Sequence, residues 1–251
     1  EIRLSLVGSE MCIRDRFRLN DDPIMYPSID WRRYLLNKTS VQTQHNLNIS
    51  GGTKDIRYFI SLGFLYQNGL LKQFEGVGYD NNYKYKRYNY RANLDFDATK
   101  TTTLKIGIGG IVGNRNEPMI NDATNSIWTL INQTTPFSSP GVIDGKLIVT
   151  PEERFDNKIN LGNSALPKCY GTGYSTAINN TMNLDLLLNQ KLDFITKGLS
   201  AEIKGAYNTS YGFTKKRKGQ VEQFMPFYQS SLEDPSLGYD SPDFNKNIVY
   251  K

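Results

Sequence analysis

Long hydrophobic runs are what this 251-residue sequence most plainly lacks. No stretch approaches the ~20 consecutive apolar residues of a transmembrane helix, and the mean hydropathy is negative. That excludes helical spans only, because a membrane-crossing strand alternates apolar with polar residues and barely raises the average. Histidine is nearly absent. With His45 alone, neither a His-based metal cluster nor a serine triad has support. Two cysteines, Cys12 and Cys169, provide no disulfide framework. Charge of one sign is also scarce: the formal balance of +5 is modest for this length. The basic runs Lys84, Lys86, Arg87 and Lys215-Lys216-Arg217-Lys218 lie between strands and read as solvated loop ends, not a nucleic-acid surface.

Residues 1–16, EIRLSLVGSEMCIRDR, follow no pattern found downstream. They look like translated sequencing-adapter read-through, so they are set aside from the fold, Cys12 with them. They also lack the layout of a signal peptide, an apolar core followed by small residues.

What remains is rich in tyrosine, phenylalanine, glycine and asparagine, a composition that suits strands and turns. From about Thr43 it falls into alternating runs, and on a strand alternate side chains point to opposite faces. In 199–213, Leu199, Ala201, Ile203, Tyr207, Tyr211 and Phe213 oppose Ser200, Glu202, Lys204, Asn208 and Ser210. In 182–194, Met182, Leu184, Leu186, Leu188, Leu192 and Phe194 oppose Asn183, Asp185, Asn189, Lys191 and Asp193. Similar rows are Tyr88, Tyr90, Ala92, Leu94, Phe96; Leu104, Ile106, Ile108, Val112; and Ile56, Tyr58, Ile60, Leu62, Phe64, Tyr66. With Leu47 and Ile49, six strands emerge, pairing as 44–50 with 55–66, 86–97 with 102–113, and 181–195 with 199–213.

These runs are long against the roughly 5–6 residues of an ordinary soluble strand. Their connections alternate in length. Tight turns fall near Gly51-Gly52-Thr53-Lys54, Ala98-Thr99-Lys100-Thr101 and Thr196-Lys197-Gly198, and long polar stretches near 68–83, 114–178 and beyond 214. Short turns at one end and long loops at the other are the layout of an outer-membrane barrel. Phe96 and Phe194 stand before short turns, while Tyr66, Tyr207, Tyr211 and Phe213 stand towards the long loops. That placement fits interfacial aromatic girdles. The competing expectation is a soluble extracellular glycan-binding β-sandwich, whose polar strand faces would meet solvent.

Several segments recur in a recognisable order. Tyr26-Pro27-Ser28-Ile29-Asp30-Trp31 precedes Gln44-His45-Asn46-Leu47-Asn48-Ile49-Ser50-Gly51-Gly52-Thr53. Arg57-Tyr58-Phe59-Ile60-Ser61-Leu62-Gly63-Phe64, Gln67-Asn68-Gly69-Leu70-Leu71-Lys72 and Lys86-Arg87-Tyr88-Asn89-Tyr90-Arg91-Ala92-Asn93-Leu94-Asp95 follow. Over about residues 26–113 this order resembles the SusC/RagA family of TonB-linked outer-membrane transporters. The resemblance implies an all-β fold, antiparallel up-and-down hairpins forming part of a transmembrane barrel of about 22 strands. It implies a lumenal plug, energy from the inner-membrane TonB complex, a SusD-like surface lipoprotein as lid, and oligosaccharide or peptide cargo. Neither a cofactor nor a catalytic residue is implied. On this reading 17–42 is the plug-to-barrel junction, 43–213 holds six strands with an external loop at 114–178, and 214–251 is a truncated external loop. The plug, the TonB-contacting segment and most strands of the family are not in this sequence, so it is read as a gene fragment. Six strands alone leave unpaired edges in lipid.

Site chemistry is sparse. Asp185 with Asp193, and Asp95 with Asp97, read as water-facing wall residues, not catalytic pairs. The oxygen-rich loops Tyr79-Asp80-Asn81-Asn82 and Asn114-Arg115-Asn116-Glu117 read as ordinary turn chemistry before a Ca²⁺ site. For ligand contact the candidates are Arg91, Asp95, Asp185, Lys191, Glu202 and Lys204 on the polar strand faces, and Trp128 in the long loop. There Ser126–Asn132 has the look of a short helix, and Trp128, Phe137, Phe155 and Tyr170 fit either loop self-packing or sugar and peptide contact.

Overall fold

The computed structural model describes residues 15–73, 77–120, 126–151, 164–237, 239 and 241–251. Cys12, Phe155 and residues 1–14 of the set-aside segment lie outside them. Six long strands form one antiparallel sheet: β1 (Gln42–Gly52), β2 (Ile56–Asn68), β3 (Lys84–Asp97), β4 (Thr102–Pro118), β7 (Gly173–Lys191) and β8 (Ser200–Lys218). Each pairs with its neighbour in chain order, β1-β2-β3-β4-β7-β8. This is the up-and-down meander that alternation and turn spacing predict. Lengths grow from 11 residues in β1 to 19 in β7 and β8. At ~3.3 Å per residue a 19-residue strand runs some 63 Å, which reaches past a hydrocarbon core even when strongly tilted.

The strands exceed the alternating runs mainly at their long-connection ends. There Asn114, Asn116, Ser175, Thr176 and Asn179 are polar on both faces, so alternation gives no signal although the hydrogen-bonded ladder continues. At the opposite end one strand is shorter than its run: β7 stops at Lys191, and Leu192 and Phe194 belong to the turn. Leu192 N–H donates to Leu199 O at 2.8 Å, and Gly198 N–H donates to Asp193 Oδ1 at 2.7 Å. Gly198 supplies the positive φ (+85°) that closes this turn. Phe194 is left 79% exposed.

The long connections are not bare loops. A helix α1 (Trp31–Leu35), capped by Asp30, packs with α2 (Ile127–Gln133), capped by Ser126, and α3 (Ala165–Cys169). Their shared core holds Trp31, Leu35, Leu71, Ile127, Leu130, Ile131 and Leu166, with Leu35, Leu130 and Leu166 wholly buried. Trp31 Nε1 donates to Thr135 O at 2.8 Å, tying the segment before β1 to the long connection. The hairpin β5 (Gly141–Ile143) and β6 (Lys146–Ile148) continues in parallel into β9 (Gln223–Phe224). A second cluster joins β10 (Pro226–Tyr228), α4 (Gln229–Glu233) and β11 (Ile248–Tyr250) to Met25, through Tyr228 and Phe244. These pieces form a cap at the long-connection end. The segment 17–42 packs into that cap: Leu36 bridges to Leu71, and Asn68 N–H donates to Val41 O at 2.9 Å.

Candidate functional site

The register decides which residues share a face. In one row Ile49, Ile60, Ala92, Ile108, Leu184 and Tyr207 lie side by side. Two residues along each strand the apolar character repeats, so the whole sheet has one apolar face. Its side chains are uncovered: Leu47, Leu62, Leu184, Leu186 and Tyr207 are exposed, and Ile203 is 69% exposed. Among the described residues no second layer packs over this face, as a sandwich would require. Towards the cap the face ends in rings. His45, Phe64, Tyr88 and Tyr211 occupy a single row, with Phe64 and Tyr88 centroids 5.1 Å apart and His45 stacked on Phe64.

The opposite face is mostly polar, interrupted by Phe59, Leu65, Ile111 and Leu187, and six of the seven ligand candidates lie on it. Arg91 and Asp95 come from β3, Asp185 and Lys191 from β7, Glu202 and Lys204 from β8. Towards the short turns Asp95 is approached by Arg57 at 3.9 Å and Lys105 at 4.0 Å. Asp97 accepts from Thr103 Oγ1 at 2.8 Å and pairs with Arg57 at 3.4 Å. These groups are one-third to one-half exposed, so the pairs act as a charge-balanced wet lattice and add little stability. Lys204 aligns with Leu187, and Glu202 with Asn189, one strand further out. Arg91 lines a shallow cavity of about 510 Å³ with Arg87, Asn89 and Asn183 in mid-sheet. Asp185 and Asp193 are not brought together, since one is on the sheet and the other caps the 192–199 turn.

Trp128 stands apart from these six. Ile127, Leu130 and Ile131 point into the cap core, which turns Trp128 to the other side of α2, where it is 49% exposed. It fronts a cavity of about 900 Å³ between the cap and the upper polar face, floored by Tyr85, Ile111, Arg115, Ala177 and Asn179. Sequence reasoning named Trp128 alone of this set. The others escape because a strand pattern gives the face but not what the cap places opposite it.

The oxygen-rich loop at 79–82 is engaged only in part, Asn81 Oδ1 and Asn82 Oδ1 being buried without a hydrogen-bond partner among the described residues. Asp80 accepts from Lys84 Nζ and from Asn82 N–H, and the Asn116 amide donates to the carbonyls of Asp80 and Asn82, each at 3.0 Å. No cluster of three His, Cys, Asp or Glu converges among the described residues. Cys169 is buried in the cap core, and loss of solvent pushes its thiol up to about 12. A thiol held protonated there is not a nucleophile.

No family model matches the chain. The TonB-dependent receptor SusC of Bacteroides thetaiotaomicron is 28% identical over 125 residues, which is 44% of this chain and 12% of that protein. A solved structure of the RagAB peptide importer in its closed-closed state aligns with a TM-score of 0.52 at 16% identity. That alignment covers 78% of this chain and 20% of the solved one. The chain thus spans a small part of each, similar in sequence to SusC and in fold to the RagAB importer.

Proposed function

We propose that this SusC/RagA-like chain forms part of the wall of a TonB-dependent outer-membrane importer of oligosaccharides or peptides. One observation carries the reading: a six-stranded sheet with an apolar face left uncovered on one side and a mostly polar face on the other. In water such a face would be covered; in a bilayer lipid covers it, and the polar face lines a lumen. Backbone groups within the sheet are satisfied by the ladders, and the free edges of β1 and β8 pair with further strands of a closed barrel. The short turns face the periplasm and the cap faces outward, where a SusD-like lipoprotein would close over it. A plug supplied by the rest of the protein would meet the Arg57, Asp95 and Lys105 lattice inside the lumen. Transport is a property of that whole assembly, with this sheet as its passive wall.

The test is face-specific labelling in outer membranes carrying the intact protein. Single cysteines at Ile60, Leu184 and Ile203 should resist a membrane-impermeant maleimide, and reporters there should be quenched by brominated lipid. Cysteines at Ser61, Asn183 and Lys204 should show the reverse. Equal water access to both faces would rule out a membrane wall and favour the soluble sandwich.

A further inference from the structure

We infer that the cavity beneath Trp128 is a binding site for an uncharged, polyhydroxylated chain, an oligosaccharide without acidic groups. The inference rests on the importer reading above and names where, and in what chemical form, cargo is first held.

Two apolar groups are unaccounted for by packing, and both face this one void. Trp128 is half exposed on the side of α2 that turns away from the cap core, and Ile111 is exposed although it stands on the polar face of β4. Tyr85 adds a third surface: a Cβ on Gly113 would lie 3.3 Å from its hydroxyl, so the ring is laid against the bare backbone of β4. A ring stacked on an indole needs such flat apolar contacts on its C–H faces.

The polar groups are the complement. Gln67, Asn68 and Asn179 line the cavity, and an amide both donates and accepts, as a hydroxyl partner requires. Asn68 Oδ1 beside the cavity is buried and has no hydrogen-bond partner among the described residues.

Charge decides the class. Among the described residues no carboxylate lines the cavity, and the two cations there are paired, Lys84 with Asp80 and Arg115 with Glu117 at 3.5 Å. An acidic sugar or a charged peptide terminus would compete with these carboxylates for the same cations, whereas a neutral chain leaves the pairs as they are. The volume of about 900 Å³ falls within the range of small-molecule sites, and its open side leads onto the polar face.

Binding to the detergent-solubilised intact protein tests this, using neutral glucan, xylan, mannan and fructan oligosaccharides, an oligogalacturonate and a mixed tripeptide pool. At least one neutral sugar should bind. Trp128→Ala should weaken it about 3- to 10-fold, with Trp128→Phe recovering most of the loss. Asn179→Ala should weaken it as well, and Lys204→Ala, far down the same face, should not. Unchanged affinity in Trp128→Ala, preference for the oligogalacturonate or peptide pool, or no neutral sugar bound would each overturn the site. Uptake by cells with and without an energised TonB complex separates the two readings. Energy-dependent uptake with Trp128-independent binding refutes the site and keeps the importer. Trp128-dependent binding without energy-dependent uptake refutes the importer and keeps the site.

Discussion

An arginine placed at Leu184 probes the membrane reading most directly. Leu184 lies in the central row of the apolar face, beside Ile108 and Tyr207, and is exposed on that face. If lipid covers the row, Leu184→Arg puts a guanidinium near the bilayer midplane at a cost of about 2–4 kcal/mol. Leu188 is on the same face four residues nearer the short turns, ~13 Å along the strand and ~9 Å of depth at a 45° tilt. There the same arginine should cost about 0–1 kcal/mol, as it approaches the headgroups. Asn183→Arg, one residue from Leu184 but on the polar face, should also cost about 1 kcal/mol or less. The assay is guanidinium unfolding of the intact protein in phospholipid vesicles, following near-ultraviolet circular dichroism. The gradient is what matters: a soluble core would punish Leu184→Arg and Leu188→Arg alike. Equal losses at 184 and 188, or a larger loss at 183 than at 184, would refute the membrane face.

Three further outcomes follow from the cap and its clusters. Leu130→Ala removes a wholly buried side chain from the cap core and should cost about 2–5 kcal/mol of local stability. Hydrogen exchange should then speed up over residues 126–133 and 164–170 and leave β2, β3 and β4 protected. Cys169, buried and with its thiol raised to about 12, should stay unlabelled by maleimide at pH 7–8 and react at once in denaturant; native labelling of that peptide, read by mass spectrometry, would contradict the packing. Tyr228 is buried and donates to Asp22 Oδ2 at 2.9 Å, which together hold its phenol well above the usual 10.0. Because the folded value is raised, this contact stabilises fully below pH 10 and its contribution fades as pH climbs beyond. Protease cleavage between 218 and 250 should therefore increase above pH 10, and Tyr228→Phe should flatten that dependence.

The sheet was legible because its middle obeys a single rule. Across Ile56–Phe64, Tyr88–Phe96 and Leu199–Phe213 one face is apolar and the other mostly polar, so period two is written into the residues. Legibility fades where the environments converge. Above the aromatic row both faces carry polar residues, and Asn114–Glu117 and Ser175–Asn180 continue the ladder without a pattern. Leu192 and Phe194 misled for the opposite reason, keeping the apolar period inside a turn whose course is set by Asp193 and Gly198. The cap was nearly silent. Its helices run 5–7 residues, too short for a helical period, and its core joins Trp31 to residues a hundred positions away. Of the candidate site the polar row could be read directly. The cavity could not, because Ile111 and Asn179 matter only once α2 is laid over them.

That core has a consequence for how the chain assembles. Strands of the large sheet pair in chain order, with the longest intervening segment, which carries β5 and β6, at the β4–β7 step. The sheet can therefore zip hairpin by hairpin with small closure entropies. The cap cannot. Its anchor from Trp31 to Thr135 bridges 104 positions and cannot close until the strands between them are in place. The cap is therefore the last part to order, and lesions in its core should hasten unfolding far more than they slow folding.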